Sequence, residues 1–290
     1  MKYAVLGAFG QLGRDLCPAL GEGAIALDRS KIDLGVPETI GKCLDEINPD
    51  VVVNCAAYNF VDKAETEPDS AMRINAWGLK ELAQWCKAKG KYLVHFSTDY
   101  VFGLDSQRNK PYEENDKPGP VSNYGISKLA GEYVVSANCP NHLLIRTCGL
   151  YGVWGSGGKG GNFVETMLRV AAQGKPLKIV SDQYCTPTYT KDLARTSALL
   201  IKSNAQGLLH LTNQESCSWY EFARTIFELS QIEASISPIS SKDYNAPAAR
   251  PGYSVMQSGR SKELGFAPLR GWKLALGDYL LERKTKHLSE

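Results

Sequence analysis

A tyrosine and a lysine stand four positions apart in the segment VSNYGISKLAGE, residues 121–132, which has the pattern of an amphipathic helix at its start. At that separation Tyr124 and Lys128 lie on one face of a helix, one turn apart. An ammonium group beside a phenol favours the phenolate, so the pair could exchange a proton near neutral pH. The simpler interpretation is that Tyr124 packs and Lys128 is solvated, and the rest of the chain must decide between the two.

A glycine triplet near the start of the chain could accommodate a phosphorylated ligand. An apolar run at residues 2–8, typical of a buried strand, leads into Gly7, Gly10 and Gly13, and a helix is predicted to begin at Gln11. Glycines at such a turn let the chain bend sharply and let a pyrophosphate approach the backbone at the helix N-terminus. The pattern therefore favours a dinucleotide site over a strand-to-helix turn that binds nothing.

The second apolar run of the chain, residues 23–28, ends at Asp28 and is followed by Arg29. These two charged residues bear on which dinucleotide could bind. Asp28 is placed to accept hydrogen bonds from an adenosine ribose. Arg29 follows it directly and could instead hold a 2′-phosphate. The sequence therefore leaves both NADH and NADPH open as cofactors.

The first half of the chain predicts the scaffold that would position these residues. Short runs rich in Val, Ile and Leu alternate with longer helical patterns, and the runs predicted as strands are residues 2–8, 23–28, 50–57, 91–98 and 142–147. Continuous apolar strands that alternate with helices indicate a parallel sheet covered on both faces. We predict an α/β protein with a doubly wound, Rossmann-like parallel sheet.

Beyond residue 150 the alternation becomes less regular. The pattern predicts a glycine-rich loop at 152–162, a helix at 163–173 and further strands at 176–182 and 207–213. We therefore expect a dinucleotide-binding domain at residues 1–150 and a smaller C-terminal substrate-binding lobe at residues 151–290. Some segments of the second part are expected to return to the sheet.

The overall composition disfavours several classes of function. The 290 residues carry 33 Lys and Arg against 31 Asp and Glu, a net charge of +2 without a basic run, so we expect neither nucleic acid nor membrane as a partner. The eight cysteines form no Cys-x-x-Cys motif and the four histidines are dispersed, so no metal site is predicted. Reduced thiols, and no apolar stretch long enough to cross a bilayer, lead us to expect a cytoplasmic protein.

The Gly-x-x-Gly-x-x-Gly spacing together with Tyr-x-x-x-Lys resembles the extended short-chain dehydrogenase/reductase family. In that family the Tyr-x-x-x-Lys helix supplies the catalytic acid, and Thr98, at the end of the fourth predicted strand, fits the family's Ser/Thr partner. Within the family, the chain is similar over nearly its whole length to the dTDP-4-dehydrorhamnose reductases. The segments that carry this similarity are NCAAYNFVDKAE, STDYVF, YGISKLAGE, GNFVETML, DQYCTPTYTKDLA and ARPGYS.

The resemblance implies a role for each residue that matches a family motif. The implied catalytic residues are Thr98, Tyr124 and Lys128. The residues implied to bind the dinucleotide are Gly7, Phe9, Gly10, Gln11, Leu12, Gly13, Asp28, Arg29, Asp33, Leu34, Ala56, Ala57, Tyr58, Asn75, Phe96, Ser97, Tyr124 and Lys128. The residues implied to bind the substrate are Asn59, Thr98, Asp99, Tyr100, Tyr124, Gly149, Asn162, Phe163 and Arg250.

The resemblance also implies a reaction, the reduction by NADPH or NADH of the 4-keto group of a nucleotide-activated deoxysugar. The expected conversion is that of dTDP-4-dehydro-L-rhamnose to dTDP-L-rhamnose, with Tyr124 protonating the developing oxyanion and Thr98 holding the substrate oxygen. A related 4,6-dehydratase uses a Thr-Asp-Glu run, whereas here Tyr100 stands where the glutamate base would be. Without that carboxylate an elimination has no evident base.

Two alternatives stay open at this point. One is another nucleotide-sugar enzyme, either a 4-ketoreductase or an epimerase. The other is a non-catalytic dinucleotide-binding subunit, because the same fold is similar to the regulatory beta subunit of methionine adenosyltransferase. A homodimer is a further open question.

The chain departs from the family pattern at one position. The family commonly carries a tryptophan two residues after Arg-Thr, against which the sugar packs, and here that residue is Gly149. Trp154, in the glycine-rich loop, could fill the gap, or the pocket could be wider. Nearby motif residues have simpler interpretations: we expect Asp62 to cap a helix, and Arg250 to be either solvated or paired with a diphosphate.

Overall fold

A computed structural model describes residues 1–155 and 161–287 of the chain. Residues 156–160 of the predicted glycine-rich loop lie outside the described residues. In the described residues, the strands are β1 (Tyr3–Leu6), β2 (Ala24–Leu27), β3 (Val51–Asn54), β4 (Tyr92–Thr98), β5 (His142–Thr147), β6 (Leu150–Tyr151), β7 (Leu177–Val180), β8 (Tyr184–Cys185), β9 (Thr188–Tyr189), β10 (Gly207–His210), β11 (Cys217–Ser218) and β12 (Ile236–Ile239).

Helices connect most of these strands. They are α1 (Gln11–Leu20), α2 (Glu38–Ile47), α3 (Pro68–Met72), α4 (Gly78–Ala88), α5 (Asn123–Asn138), α6 (Phe163–Ala171), α7 (Thr190–Lys202), α8 (Trp219–Ser230), α9 (Ser241–Tyr244), α10 (Gly259–Glu263) and α11 (Trp272–His287). A π-helical turn, Arg73–Trp77, joins α3 to α4, so these segments continue one another. Short 3₁₀ turns occupy Lys63–Glu65 and Asp99–Val101.

The main sheet has six strands in the order β10-β5-β4-β3-β1-β2, and every pair in it is parallel. All residues of β1, β3 and β4 are buried, as expected for apolar strands covered on both faces. The predicted doubly wound α/β fold is confirmed. The predicted strand at 50–57 was too long, because residues 55–57 leave the sheet and form the turn that follows β3.

Successive strand residues point to opposite faces and so divide the core into two layers. On one face Val5, Val53 and Val94 pack with residues of α1 and α7. On the other face Val52 and Leu93 pack with residues of α2, α4 and α5. The sheet is therefore enclosed between two helical layers.

The segments after residue 150 contribute to two regions. β10 pairs with β5 in the main sheet, and α7 covers α1. Several of the remaining segments surround a separate aromatic core whose central residues include Tyr151, Tyr189, Phe222, Trp272 and Tyr279. A boundary at residue 150 stays a proposal, since chain on both sides of it builds the main sheet.

Two features of the fold bear on function. The carboxyl ends of β1, β3, β4 and β5 lie at one edge of the sheet, where doubly wound folds bind their ligands. Among the helices of the described residues, none combines the length and the hydropathy that crossing a lipid bilayer would require.

Candidate active site

Gly7 and Gly13 are glycines because neighbouring backbone comes too close for a side chain. Gly7 has φ +70°, and a Cβ there would lie 2.8 Å from the Ala56 nitrogen, in the segment after β3. A Cβ on Gly13 would lie 2.4 Å from the Gly7 carbonyl oxygen. These contacts pack the start of α1 tightly against the ends of β1 and β3.

Gly10 differs from Gly7 and Gly13 because it borders open space. Among the described residues, beyond its chain neighbours, a Cβ on Gly10 would meet the Gly7 carbonyl oxygen at 3.2 Å and nothing else within 4 Å. Gly10 is also the N-cap of α1, and no side chain caps this helix. The first amides of α1 are therefore available to an anion. This cradle fits the pyrophosphate of a dinucleotide.

The charged residues after β2 are fixed by local hydrogen bonds. The Asp28 carboxylate accepts from the Ser30 hydroxyl at 2.6 Å and the Ser30 and Lys31 N–H groups at 2.9 and 3.2 Å. The hydrogen bond from the Ser30 hydroxyl is the main reason why the pKa of Asp28 lies below its ordinary value. Arg29 Nε lies 2.8 Å from Asp33 Oδ2. An anionic acceptor and a guanidinium stand side by side here, which is compatible with either dinucleotide.

The turn after β3 is held by two buried asparagines. Asn54 Oδ1 accepts from the Ala56 N–H at 3.0 Å. Asn75 accepts from the Tyr58 N–H and donates to the Tyr58 carbonyl, both at 2.9 Å, and also donates to Ser127 Oγ at 3.0 Å. The structure thus places Asn75 behind the turn, where it ties the turn to α5. Ala57 and Asn59 lie in the same turn.

Other residues expected at the dinucleotide differ widely in exposure. Phe9 is exposed and Leu12 is buried at the start of α1. Leu34 is buried, and its carbonyl oxygen lies so near Gly78 that a Cβ there would overlap it. Only glycine fits at position 78, and this brings α4 close to the segment after β2.

Tyr124 and Thr98 meet at the carboxyl edge of the sheet. Thr98 ends β4, Tyr124 lies in the first turn of α5, and the Thr98 hydroxyl is near enough to the phenol to lower its pKa. Ser122 begins α5 by accepting from the Gly125 N–H at 3.2 Å. The Tyr100 ring packs edge-on against the Tyr124 ring, with centroids 5.5 Å apart. Burial raises the pKa of Tyr124 to about 12, opposed by the Thr98 hydrogen bond.

Lys128 lies one turn further along α5, with its ammonium group directed at β4. Its Nζ donates to the Phe96 carbonyl at 2.8 Å and lies 3.2 Å from His95 Nε2. Burial lowers the pKa of Lys128 to about 8. Burial is the main influence on the pKa of Tyr124, and the Lys128 nitrogen is bound at β4, so the expectation that Lys128 makes Tyr124 more acidic stays a prediction.

Ser97 faces α5. Its hydroxyl donates to Glu132 Oε1, and Glu132 forms a buried ion pair with Arg146 at 2.7 and 2.9 Å. Arg146 Nη1 also lies 3.4 Å from Nε2 of His210 on β10. The Ser97 side chain therefore supports α5, and the contact of Ser97 with a dinucleotide stays a prediction.

Asp99 is buried and ties three segments together. Its carboxylate accepts from Ser254 Oγ at 2.6 Å, Cys148 Sγ at 3.0 Å and Thr98 Oγ1 at 3.2 Å. Burial raises the pKa of Asp99. We expected a substrate-facing residue, whereas the structure gives Asp99 a supporting position behind Thr98.

Asp62 and Arg250 form an ion pair across 188 residues of sequence. Arg250 Nη2 lies 3.0 and 2.9 Å from the two Asp62 carboxylate oxygens, and the Ala248 N–H donates to the same carboxylate at 3.2 Å. The helix-cap interpretation of Asp62 was wrong, because the 3₁₀ turn that follows it has no side-chain cap. The pair joins the segment after β3 to the segment around Arg250.

Asn162 and Phe163 lie at the start of α6, as expected. Asn162 Oδ1 accepts from the Glu165 N–H at 3.1 Å, and its Nδ2 donates to Gln11 Oε1 at 3.1 Å. Phe163 packs against Trp219, with ring centroids 4.7 Å apart. Asn162 therefore joins the C-terminal lobe to the glycine turn, while Phe163 belongs to the aromatic core.

Gly149 follows β5 with φ +53°, and a Cβ there would lie 3.2 Å from Pro187 Cα. The Trp154 side chain contacts two residues of α1. Its Nε1 donates to Asp15 Oδ1 at 2.9 Å, and the Arg14 guanidinium lies 5.1 Å from its ring centroid. These contacts occupy Trp154 on α1, so they give no support to its filling a sugar pocket beside Gly149.

Within residues 1–155 and 161–287, no group of three or more His, Cys, Asp or Glu side chains is arranged to hold a metal ion.

Comparison with known proteins identifies the relatives of this chain. The model of the RmlD substrate binding domain family matches residues 1–285. The chain belongs to this family. It is 39% identical over 287 residues to the spore coat polysaccharide biosynthesis protein SpsK of Bacillus subtilis, with 98% of each chain covered. It is 40% identical over 282 residues to dTDP-4-dehydrorhamnose reductase of Mycolicibacterium smegmatis, covering 96% of this chain and 84% of that protein.

A solved structure of the same kind superposes closely. The dTDP-4-dehydrorhamnose reductase of Bacillus anthracis, crystallised in complex with NADP, is 36% identical with a TM-score of 0.91, covering 97% of this chain and all of that one. The resemblance seen in the sequence motifs is thereby confirmed.

Some residues that shape the site of this RmlD family member were missed in the sequence. They are Asn54, His95, Glu132, Arg146, Cys148 and Ser254. Each is a polar side chain within or beside an apolar run, and such a residue signals a buried partner without naming it.

Proposed function

We propose that this protein reduces the 4-keto group of dTDP-4-dehydro-L-rhamnose to give dTDP-L-rhamnose, with NADPH or NADH as the reductant. The observation that carries the proposal is that the Thr98 hydroxyl and the Tyr124 phenol lie together at the sheet edge that also bears the glycine cradle. The relatives named as dTDP-4-dehydrorhamnose reductases over nearly the whole chain support it.

The residues divide the work of a ketone reduction. The bound dinucleotide supplies the hydride for the keto carbon. Because the pKa of Tyr124 is about 12, its phenol carries a proton at neutral pH and can donate it to the carbonyl oxygen. The Thr98 hydroxyl, beside the Tyr124 phenol, orients that oxygen. Asp99 fixes Thr98 from behind through its 3.2 Å hydrogen bond.

The contacts along the substrate are also proposals. Arg250, held by Asp62, is positioned to meet a diphosphate, and Tyr100 borders the sugar beside Tyr124. Asn59 and Gly149 border the same edge of the sheet, after β3 and β5.

The assay that tests this function follows dinucleotide oxidation with a panel of dTDP-4-keto sugars. We expect turnover with dTDP-4-dehydro-L-rhamnose and a product identified as dTDP-L-rhamnose by NMR. Turnover with a different keto sugar alone would reassign the substrate. Dinucleotide binding without turnover of any of them would favour a non-catalytic subunit.

A first variant tests the cradle. Gly10→Val should weaken dinucleotide binding by at least about tenfold, because the new side chain would fill the space left for the pyrophosphate. The measurement is a dissociation constant from quenching of protein fluorescence. Gly41→Val is the control, since Gly41 lies on α2 with no atom within 4 Å of its added Cβ. Undiminished affinity in folded Gly10→Val protein would remove the pyrophosphate from this turn.

A second variant tests whether Gly149 borders the sugar. Gly149→Trp should change KM for the keto sugar and leave dinucleotide affinity unaltered. Gly149→Ala is the control, because both variants carry the strain of a side chain at φ +53°, about 1–2 kcal/mol, and one lacks the ring. Identical KM values in the two variants would place Gly149 away from the sugar.

We also propose a cytoplasmic homodimer. The eight cysteines are free thiols, which suits a reducing compartment. Large apolar side chains are exposed at Trp77, Ile126 and Tyr133 on the adjoining π-helical turn and α5. A second copy of the chain could cover them. Light scattering of the purified protein measures the oligomeric state.

A further inference from the structure

Lys128 has a partner on β4 that the proposed chemistry does not use. His95 and Lys128 are both buried, 1% and 2% exposed, and His95 Nε2 lies 3.2 Å from Lys128 Nζ. On its other side His95 Nδ1 lies 3.0 Å from Asn54 Nδ2. The register of the sheet sets Asn54 directly beside His95, so the three residues form a row from β3 to α5.

Asn54 determines which nitrogen of His95 carries the proton. The Ala56 N–H donates to Asn54 Oδ1, which turns the Asn54 amide nitrogen toward His95. An amide nitrogen only donates, so His95 Nδ1 accepts and the proton of the neutral ring sits on Nε2. If the Asn54 amide were rotated, its Nδ2 would face the Ala56 N–H, and both groups are donors.

A His95 ring with its proton on Nε2 directs an N–H at Lys128. Burial and the neighbouring lysine hold the pKa of His95 well below its ordinary value, so the ring is neutral at neutral pH. An ammonium group has no lone pair, whereas an uncharged amine has one and can accept this N–H. The hydrogen bond from His95 to Lys128 therefore belongs to the uncharged lysine.

The other titratable groups around Lys128 act in the opposite direction or lie one turn away. Glu132 on α5 and Cys55 after β3 both favour the charged lysine, and burial opposes them. Tyr124 lies one turn before it on α5. Glu132 is already paired with Arg146 at 2.7 Å, so it is not a dedicated counterion for Lys128.

We propose that His95 is a positioning residue for Lys128: its Nε2–H, aligned by Asn54, holds the lysine nitrogen against β4 and favours the uncharged amine. The inference rests on the proposed reductase function. Its consequence is that Lys128 changes charge within the working pH range. A charged Lys128 stabilises the phenolate that Tyr124 becomes after giving up its proton, so turnover should fall as the lysine deprotonates.

The first experiment determines which nitrogen of the His95 ring carries the proton and does not require catalytic turnover. Protein labelled with ¹⁵N at histidine is examined by NMR without ligand at about pH 9, above the pKa of about 8 for Lys128. We expect the His95 ring to be neutral with its proton on Nε2, and Asn54→Leu to abolish that preference. A proton on Nδ1 in the unaltered protein would overturn the proposal.

The second experiment measures kcat between about pH 6 and about pH 10. In His95→Leu the donor is gone, so the alkaline midpoint should rise by roughly half to one pH unit, the size of one hydrogen bond. In His95→Gln the amide N–H can still donate, and the midpoint should return toward the original value. If His95 instead accepted from a charged lysine, His95→Leu would lower the midpoint.

His210→Leu is the matched control. His210 is a fully buried histidine on the neighbouring part of the sheet, bonded to Arg146 and the Tyr112 carbonyl. Its loss should reduce stability and leave the alkaline midpoint unchanged. A midpoint that stays fixed in His95→Leu, with turnover retained, sinks this proposal alone. Absence of turnover in the unaltered protein sinks the proposed function and leaves the NMR result to decide on His95.

Discussion

Tyr124→Phe should lower kcat for the keto sugar by ~10²–10⁴, equivalent to roughly 2.7–5.4 kcal/mol of transition-state stabilisation. The substitution removes the hydroxyl that we propose protonates the substrate oxygen and keeps the ring, whose centroid lies 5.5 Å from that of Tyr100. Folding and dinucleotide affinity should therefore survive. The measurement is kcat at saturating substrate, together with the dissociation constant of the dinucleotide.

Tyr133→Phe serves as the control for this change, since Tyr133 is an exposed tyrosine on the same helix. It should leave kcat within about twofold. A Tyr124→Phe protein with full kcat would exclude the phenol as the acid and leave Thr98 as the remaining hydroxyl beside the substrate oxygen. If the unaltered protein bound a dinucleotide and a protein partner without reducing any keto sugar, the regulatory-subunit alternative would be preferred.

The second large effect concerns stability. Glu132→Gln should lower the free energy of unfolding by about 3–5 kcal/mol, because it leaves the Arg146 guanidinium buried without a counterion. The side chains of Arg146 and Glu132 are only 3% and 4% exposed, and Ser97 donates to the same carboxylate. Urea unfolding followed by circular dichroism measures the change.

An exposed ion pair provides the comparison. Arg224 and Glu228, on α8, are 58% and 61% exposed, so Glu228→Gln should cost no more than about 0.5 kcal/mol. Replacing both Glu132 and Arg146 with Leu and Met should recover part of the loss, since no buried charge then remains unpaired. A loss below about 1 kcal/mol in Glu132→Gln would mean that water reaches Arg146.

The sheet could be predicted from the sequence because its signals are local. Residues 142–147 were predicted as a strand and form β5 with the same bounds. The run at 50–57 was overestimated because the residues after Asn54 are as apolar as the strand itself. Hydropathy does not distinguish a buried strand from a buried turn held by asparagine side chains.

The glycine turn and the Tyr124–Lys128 pair were also evident from spacing. Gly7, Gly10 and Gly13 lie within one strand-to-helix turn, and Tyr124 and Lys128 within one turn of helix. Spacing alone did not distinguish their roles. In the structure, Gly7 and Gly13 are required by neighbouring backbone, whereas Gly10 borders open space.

What the sequence determined by itself is the set of groups whose geometry one secondary-structure element fixes: the parallel strands, the cradle at α1 and the face of α5. The tertiary structure alone decided which distant side chains meet. Asp62 bonds Arg250 and Asp99 bonds Ser254, 188 and 155 residues away. The Lys128 nitrogen contacts His95 and the Phe96 carbonyl, both on β4. Such pairings depend on strand register and helix docking, which the whole core sets, and no local period in the sequence encodes them.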